Sequence, residues 1–104
     1  MGKKENNVQD AICQYLDAKR YLFSRINTTG VYDPRIGAFR KPSKYTLIGM
    51  SDILVFTKGQ TVFIECKAET QLSEDQLKFR QDVEDEGFIY IVARSIDDVQ
   101  AIGL

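Results

Sequence analysis

Glu65 and Lys67 stand two apart in the segment Ile64-Glu65-Cys66-Lys67, and Asp52 closes the segment Gly49-Met50-Ser51-Asp52. Alternate side chains of an extended chain share a face, so Glu65 and Lys67 emerge together, about 6–7 Å apart. Ile64 and Cys66 then point the other way, into apolar packing. A core strand rarely sets two charges on one face without a reason. A turn near Gly59 folds the two segments together and brings Asp52 opposite a residue close to Cys66 or Lys67. Two carboxylates held this close repel, and one is driven to protonate. A divalent cation relieves that repulsion by binding both. Such an ion acidifies bound water and offsets charge on phosphorus-bound oxygens. Lys67 can neutralise a phosphate or steady the attacking water, and the backbone carbonyl of Cys66 can complete the metal shell. Gly49 permits a tight turn or the close approach of a phosphate. The chemistry implied is phosphodiester hydrolysis. The bland alternative is a surface salt bridge on a half-exposed strand, since Glu-x-Lys alone is short and frequent.

The chain contains no histidine. That excludes Ser-His-Asp and Cys-His hydrolysis, HExxH peptidases and histidine-metal nucleases. Carboxylate oxygens suit Mg²⁺ or Mn²⁺ instead. Cys13 and Cys66 form no CxxC pair and read as reduced thiols of an intracellular protein. No apolar run approaches the ~20 residues that span a bilayer, and no secretory signal opens the chain, so no membrane partner is expected. A net charge of −1 argues mildly against a nucleic-acid binder, but its distribution is uneven.

The elements that must position these residues are legible from patterning. Val8, Ala11, Ile12, Tyr15 and Leu16 fall at helical spacing and predict an amphipathic helix over 5–19, with Gln9, Asp10, Gln14 and Asp17 off the stripe. Residues 21–26 read as a strand. Residues 27–48 carry Gly30, Pro34, Gly37 and Pro42 and read as a long irregular connection. Residues 51–57 and 61–67 read as strands joined by a tight turn at Lys58-Gly59-Gln60. A helix over 73–86 follows, with Ser73 as N-cap, Gln76 as its capping-box partner and Gly87 as stop. Residues 88–93 read as a buried strand, and 95–104 as a closing helix capped by Ser95. The order is α-β-β-β-α-β-α in a single α/β domain over 1–104.

Gly49-x-x-Asp52, Glu65-x-Lys67 and Gln76 on the next helix resemble the PD-(D/E)xK nuclease superfamily. Within it, the chain is similar to the VRR-NUC family of virus-type replication-repair nucleases. The resemblance runs from Glu5, Val8-Gln9 and Tyr15-Leu16 through Arg25-x-Asn27-x-x-Gly30 and Leu72-Ser73-x-x-Gln76. It ends on Gly87-x-x-Tyr90-x-Val92-Ala93-Arg94-Ser95 and Asp97-Asp98-Val99. It implies a restriction-endonuclease-like fold, with a mixed central sheet flanked by helices. It also implies a homodimeric, metal-dependent endonuclease acting on branched DNA such as four-way (Holliday) junctions. Carried over, Asp52 and Glu65 are metal ligands, Lys67 is the catalytic lysine and Gln76 orients Lys67 or the attacking water. Glu5 is a first-helix acid that binds metal directly or through water. The first motif departs from the family pattern, with Ser51 where a proline is usual.

Several residues keep two readings. Gln76 is a capping partner or a catalytic support. Arg25 contacts a phosphate, or pairs with Glu5 or Glu65. Arg35, Arg40, Lys41 and Lys44, interleaved with Tyr32, Phe39 and Tyr45, suit a DNA backbone and stacked bases, or form a solvated loop. The acidic residues between Glu74 and Glu86 are a solvated face, or meet that loop in a partner subunit. The competing functions are a non-cleaving DNA-binding or assembly module, and a nuclease of the same fold acting on other DNA structures or on RNA.

Overall fold

The turn between the two acid-bearing segments sets the geometry of everything around it. In the computed structural model, which describes residues 3–26, 32–39 and 43–104, Thr57 pairs with Gln60. Lys58 and Gly59 are left as a two-residue turn with φ of 49° and 75°. Two successive left-handed residues form the primed turn whose twist matches that of antiparallel strands. The strands it joins are β4 (Ile53–Thr57) and β5 (Gln60–Cys66).

The described elements run α1 (Lys3–Ala18), β1 (Leu22–Arg25), β2 (Tyr32–Asp33), β3 (Ala38–Phe39), β4, β5, α2 (Glu74–Asp85), β6 (Ile89–Ala93) and α3 (Ile96–Gln100). Four strands form one mixed sheet in the order β1-β4-β5-β6. β1 and β5 flank β4 antiparallel, and β6 joins β5 in parallel. A parallel neighbour needs a crossover connection, and α2 supplies it.

Helices cover both faces. On one face Ile12 and Leu16 of α1 and Val99 of α3 pack on Ile53, Val55, Val62, Ile64, Cys66 and Ala93, all of them buried. On the other, Phe79 and Val83 of α2 pack on Tyr90, with Phe63 and Val92 against them. Strand alternation therefore sends Ile64 and Cys66 toward α1, and Phe63 and Glu65 toward α2. Each fully buried aliphatic side chain contributes about 1.5–3 kcal/mol, so these two clusters hold the strands in register.

Three sequence expectations are corrected. Gln9 is not off the buried stripe of α1: it is 2 % exposed and lies in line with Ile12 and Leu16. Its burial is tolerated because its side-chain oxygen accepts a 2.7 Å hydrogen bond from Arg25 Nη2. The segment expected to be irregular contains the short β2-β3 hairpin, in which Tyr32 pairs with Phe39 and Asp33 with Ala38. The closing helix expected over 95–104 ends at Gln100; Ser95 is its N-cap, as expected, but makes no side-chain capping bond. Asp98 accepts the Arg94 amide at 2.8 Å instead. By contrast, Ser73 and Gln76 form the expected reciprocal capping box. Among the described residues, no helix is long and apolar enough to cross a membrane.

Candidate active site

Asp52 lies one residue ahead of β4, in line with Glu65 on β5 by the register of Ile53 against Ile64. The antiparallel pairing puts their carboxylates on one face of the sheet, the face that α2 covers. Backbone bonds pin Asp52 on both sides: its amide donates to Ile64 O at 3.1 Å, and its carbonyl accepts from Ile26 N at 2.8 Å. Its Oδ2 accepts a 2.8 Å hydrogen bond from the Cys66 amide. The N–H and C=O of one strand residue face the same side, so the Cys66 carbonyl also faces Asp52.

Glu65 is only 3 % exposed. Its Oε2 accepts a 3.2 Å hydrogen bond from Gln76 Nε2. Its Oε1 is buried without a hydrogen-bond partner among the described residues. A buried carboxylate oxygen with no donor carries a large desolvation cost. Burial first, and then the charge of Asp52, push the Glu65 carboxyl up to about 8 from its ordinary 4.5. Lys67 opposes that rise and Glu5 adds to it. Burial and Asp52, through its charge and a side-chain hydrogen bond, thus favour the protonated form of Glu65.

Lys67 follows the end of β5 and is 8 % exposed, with its amide donating to Ala93 O at 3.1 Å. Among the described residues its ammonium makes no hydrogen bond or ion pair. It is a near-buried cation beside two acids, with its donors free for a ligand. Cys66 is fully buried on the opposite face, and burial pushes its thiol far up, so it is inert as a nucleophile.

Gln76 makes both a capping contact and a contact with Glu65. Its Oε1 accepts from Ser73 N at 2.9 Å, closing the cap, while its Nε2 holds Glu65. It therefore orients Glu65 rather than Lys67. Gly49 also has a defined part. Its φ is +77°, and a Cβ there would lie 2.5 Å from Asp75 O and 2.9 Å from Gln76 N. The close approach it permits is to the first turn of α2, the turn that carries Gln76.

Of the remaining predicted residues, Glu5 is near enough for its charge to act on Glu65, and Arg25, Arg35 and Lys44 are engaged elsewhere. Glu5 Oε1 accepts from Thr70 Oγ1 at 2.8 Å. Among the described residues, no three His, Cys, Asp or Glu side chains are gathered as a metal-holding group. Arg25 points to the α1 face, where it bonds Gln9 and lies 3.6 Å from Asp10, not from Glu5 or Glu65. Arg35 pairs with Asp33 on its own hairpin at 3.1 Å. Lys44 lies 5.1 Å from the ring centroid of Tyr45. Arg40, Lys41, Asn27 and Gly30 lie outside the described residues.

The donor set suits a hard divalent ion. Asp52, Glu65 and the Cys66 carbonyl offer oxygen only, and the orphaned Glu65 Oε1 is the buried polar atom that a cation would satisfy. Mg²⁺ in particular keeps several waters, so two acids and a carbonyl are an adequate protein share. Sequence reasoning gave no role to Tyr90, whose buried hydroxyl has no hydrogen-bond partner among the described residues and whose ionisation is raised by burial and by Glu65. It also missed the Gln9–Arg25 clamp, for which the helical spacing of Gln9 to Ile12 and Leu16 was the available signal. No protein-family model matches the chain, and no curated protein matches it.

Proposed function

We propose that the protein is a divalent-metal-dependent endodeoxyribonuclease of the PD-(D/E)xK type, similar to VRR-NUC nucleases, that hydrolyses phosphodiesters in branched DNA such as four-way junctions as a homodimer. One observation carries the reading: the buried Glu65 beside Asp52 and the Lys67 ammonium, with one Glu65 oxygen and that ammonium lacking hydrogen-bond partners among the described residues. A salt bridge built for stability would pair Lys67 with an acid and leave no carboxylate oxygen orphaned.

Asp52, Glu65 and the Cys66 carbonyl would hold Mg²⁺ or Mn²⁺, which supplies charge neutralisation and acidifies water at the scissile phosphate. The Cys66 amide and Gln76 fix the two carboxylates in rotamer and direction. Such preorganisation lowers the cost of reaching the transition state. Lys67 stands free to donate to a phosphate oxygen or to the attacking water, in a water-poor setting where its charge acts strongly. A bound cation would need Glu65 deprotonated, so cleavage should rise with pH through the neutral range.

The test is cleavage of four-way-junction, Y-shaped, duplex and single-stranded DNA with Mg²⁺, Mn²⁺ or EDTA. Metal-dependent paired cuts in the junction are expected. Junction binding that is equal in EDTA and Mg²⁺, without cleavage under any metal, would establish a non-cleaving module instead. Preference for RNA or for DNA ends would keep the chemistry and change the substrate.

A further inference from the structure

Beside the acid pair, on the side away from Asp52, a cleft of about 480 Å³ opens between α2, β6 and α3. Its floor is apolar, made by Leu72, Leu77 and Val92, and its walls carry Arg80 and Arg94. Val92 is the direct neighbour of Glu65 across the parallel β5-β6 pairing, so the floor begins one strand spacing, about 4.8 Å, from the site. Arg80 lies one helical turn beyond Gln76 on α2, on the same stripe. Gln76 thus holds Glu65 on one turn of the helix, and Arg80 lines the cleft on the next.

The two guanidiniums are held in different ways. Arg94 donates from Nη1 to Ala68 O at 3.2 Å and from Nη2 to Thr70 O at 3.0 Å. Both acceptors are neutral, so its charge is fixed in place without an acidic partner. Only two of its five N–H donors are used in these bonds. Arg80 lies 5.6 Å from the centroid of the Tyr90 ring, which orients it, and its Nε is 3.4 Å from Glu84, an exposed pair of little strength. Asp98, the acid in the cleft wall, accepts the Arg94 amide.

We infer that this cleft is a nucleotide subsite: it holds the nucleotide next to the scissile phosphate, with base or sugar on the Leu72-Leu77-Val92 floor and the phosphate on Arg80 and Arg94. An apolar floor with a cationic rim complements a nucleotide, which has a flat apolar face and an anionic edge. α2 and its C-cap are acidic, with Glu74, Asp75, Asp82, Glu84, Asp85 and Glu86, so Arg80 runs against the charge of its own element, and Arg94 joins it from the turn after β6. The inference rests on the nuclease reading for its orientation, and its test is independent of cleavage.

The experiment titrates the single-stranded tetranucleotide d(pT)₄ into the ¹⁵N-labelled full chain in EDTA at low salt, and follows backbone amide shifts. Saturable shifts at Leu72, Leu77, Val92 and Arg94 are expected. Arg80→Gln should weaken that binding roughly tenfold, the loss of one charged hydrogen bond, with an unchanged melting temperature. Arg94→Gln should do the same, and Arg94→Lys should recover part of it. If Arg94 merely anchored residues 68–70, Arg80→Gln would leave binding unmoved, because it touches neither carbonyl. Equal binding by wild type and Arg80→Gln, shifts confined to other surfaces, or no binding at all would overturn the subsite. Mg²⁺-dependent junction cleavage by the same preparation tells the two failures apart: cleavage without cleft binding removes the subsite alone, and loss of both removes the nuclease reading as well.

Discussion

Glu65 is the residue on which the candidate chemistry turns, and its burial makes a stability prediction of definite sign. Its carboxyl is raised from 4.5 to about 8, first by burial and then by Asp52. The folded protein therefore binds more protons than the unfolded chain between those values, and stability falls as pH rises through that window. Metal-free protein should lose several degrees of melting temperature between about pH 5 and pH 8. Mg²⁺ or Mn²⁺ should flatten the slope, and Glu65→Gln should abolish it. Calorimetric scans across pH measure all three; a slope that survives Glu65→Gln would assign it to another group. Lys67 makes the complementary prediction. Lys67→Ala removes a near-buried cation that has no partner among the described residues, so folding should be little affected. Cleavage should drop by about 10³-fold or more while junction binding persists, the pattern of a group that acts mainly in the transition state. Near wild-type rates in that variant would remove Lys67 from the site.

Between elements, the decisive contact is that of Gly49 with the first turn of α2. A Cβ at this position would strike Asp75 and Gln76 backbone atoms, and its φ of +77° disfavours any other residue. Gly49→Ala should cost about 2 kcal/mol or more, from backbone strain together with overpacking. It should also move Gln76 away from Glu65, so kcat should fall further than a purely global destabilisation predicts. Denaturant unfolding read beside single-turnover cleavage separates the two effects; an unchanged kcat would make Gly49 a folding residue only. The hairpin of the two acid-bearing strands and the helix after it were legible because their signals are local: a tight turn at Lys58-Gly59-Gln60, alternation through Glu65, and a capping box at Ser73. The role of Gly49 was not, because its neighbour lies a whole hairpin away in sequence. The same holds for Gln9, whose burial depends on Arg25, and for Tyr90, which looks like one more core aromatic until its hydroxyl is seen to lack a hydrogen-bond partner among the described residues. The two-residue β2 and β3 strands escaped because so short a pairing leaves no periodicity to read. The acid pair itself was legible as a constellation, but the way Gln76 joins capping to carboxylate positioning required the fold.

At the scale of the molecule, a net charge of −1 conceals a division of sign. Arg35, Arg40, Lys41 and Lys44 crowd into one segment, while α2 and its C-cap gather six acids, Glu74, Asp75, Asp82, Glu84, Asp85 and Glu86. Under the nuclease reading, the basic segment meets the DNA backbone. Arg40→Ala with Lys41→Ala should weaken junction binding and lower the slope of log affinity against log salt by about 2 if both contact phosphates. Unchanged affinity and slope would leave the segment as scaffold. The chain carries one Asp52–Glu65–Lys67 constellation, yet resolving a four-way junction takes two symmetric cuts, and a two-fold dimer supplies two sites related as the cuts are. Sedimentation should therefore show twice the 11.9 kDa chain mass at working concentration. Mixed dimers supply the sharper test, because each contains one active and one Lys67→Ala site. Co-refolded with excess mutant, wild-type subunits should nick one strand of the junction and accumulate that product, whereas wild-type dimers should release paired cuts within one binding event. A monomer that stays monomeric on DNA, or mixed samples that yield paired cuts with no nicked intermediate, would break the link between two-fold assembly and junction cleavage.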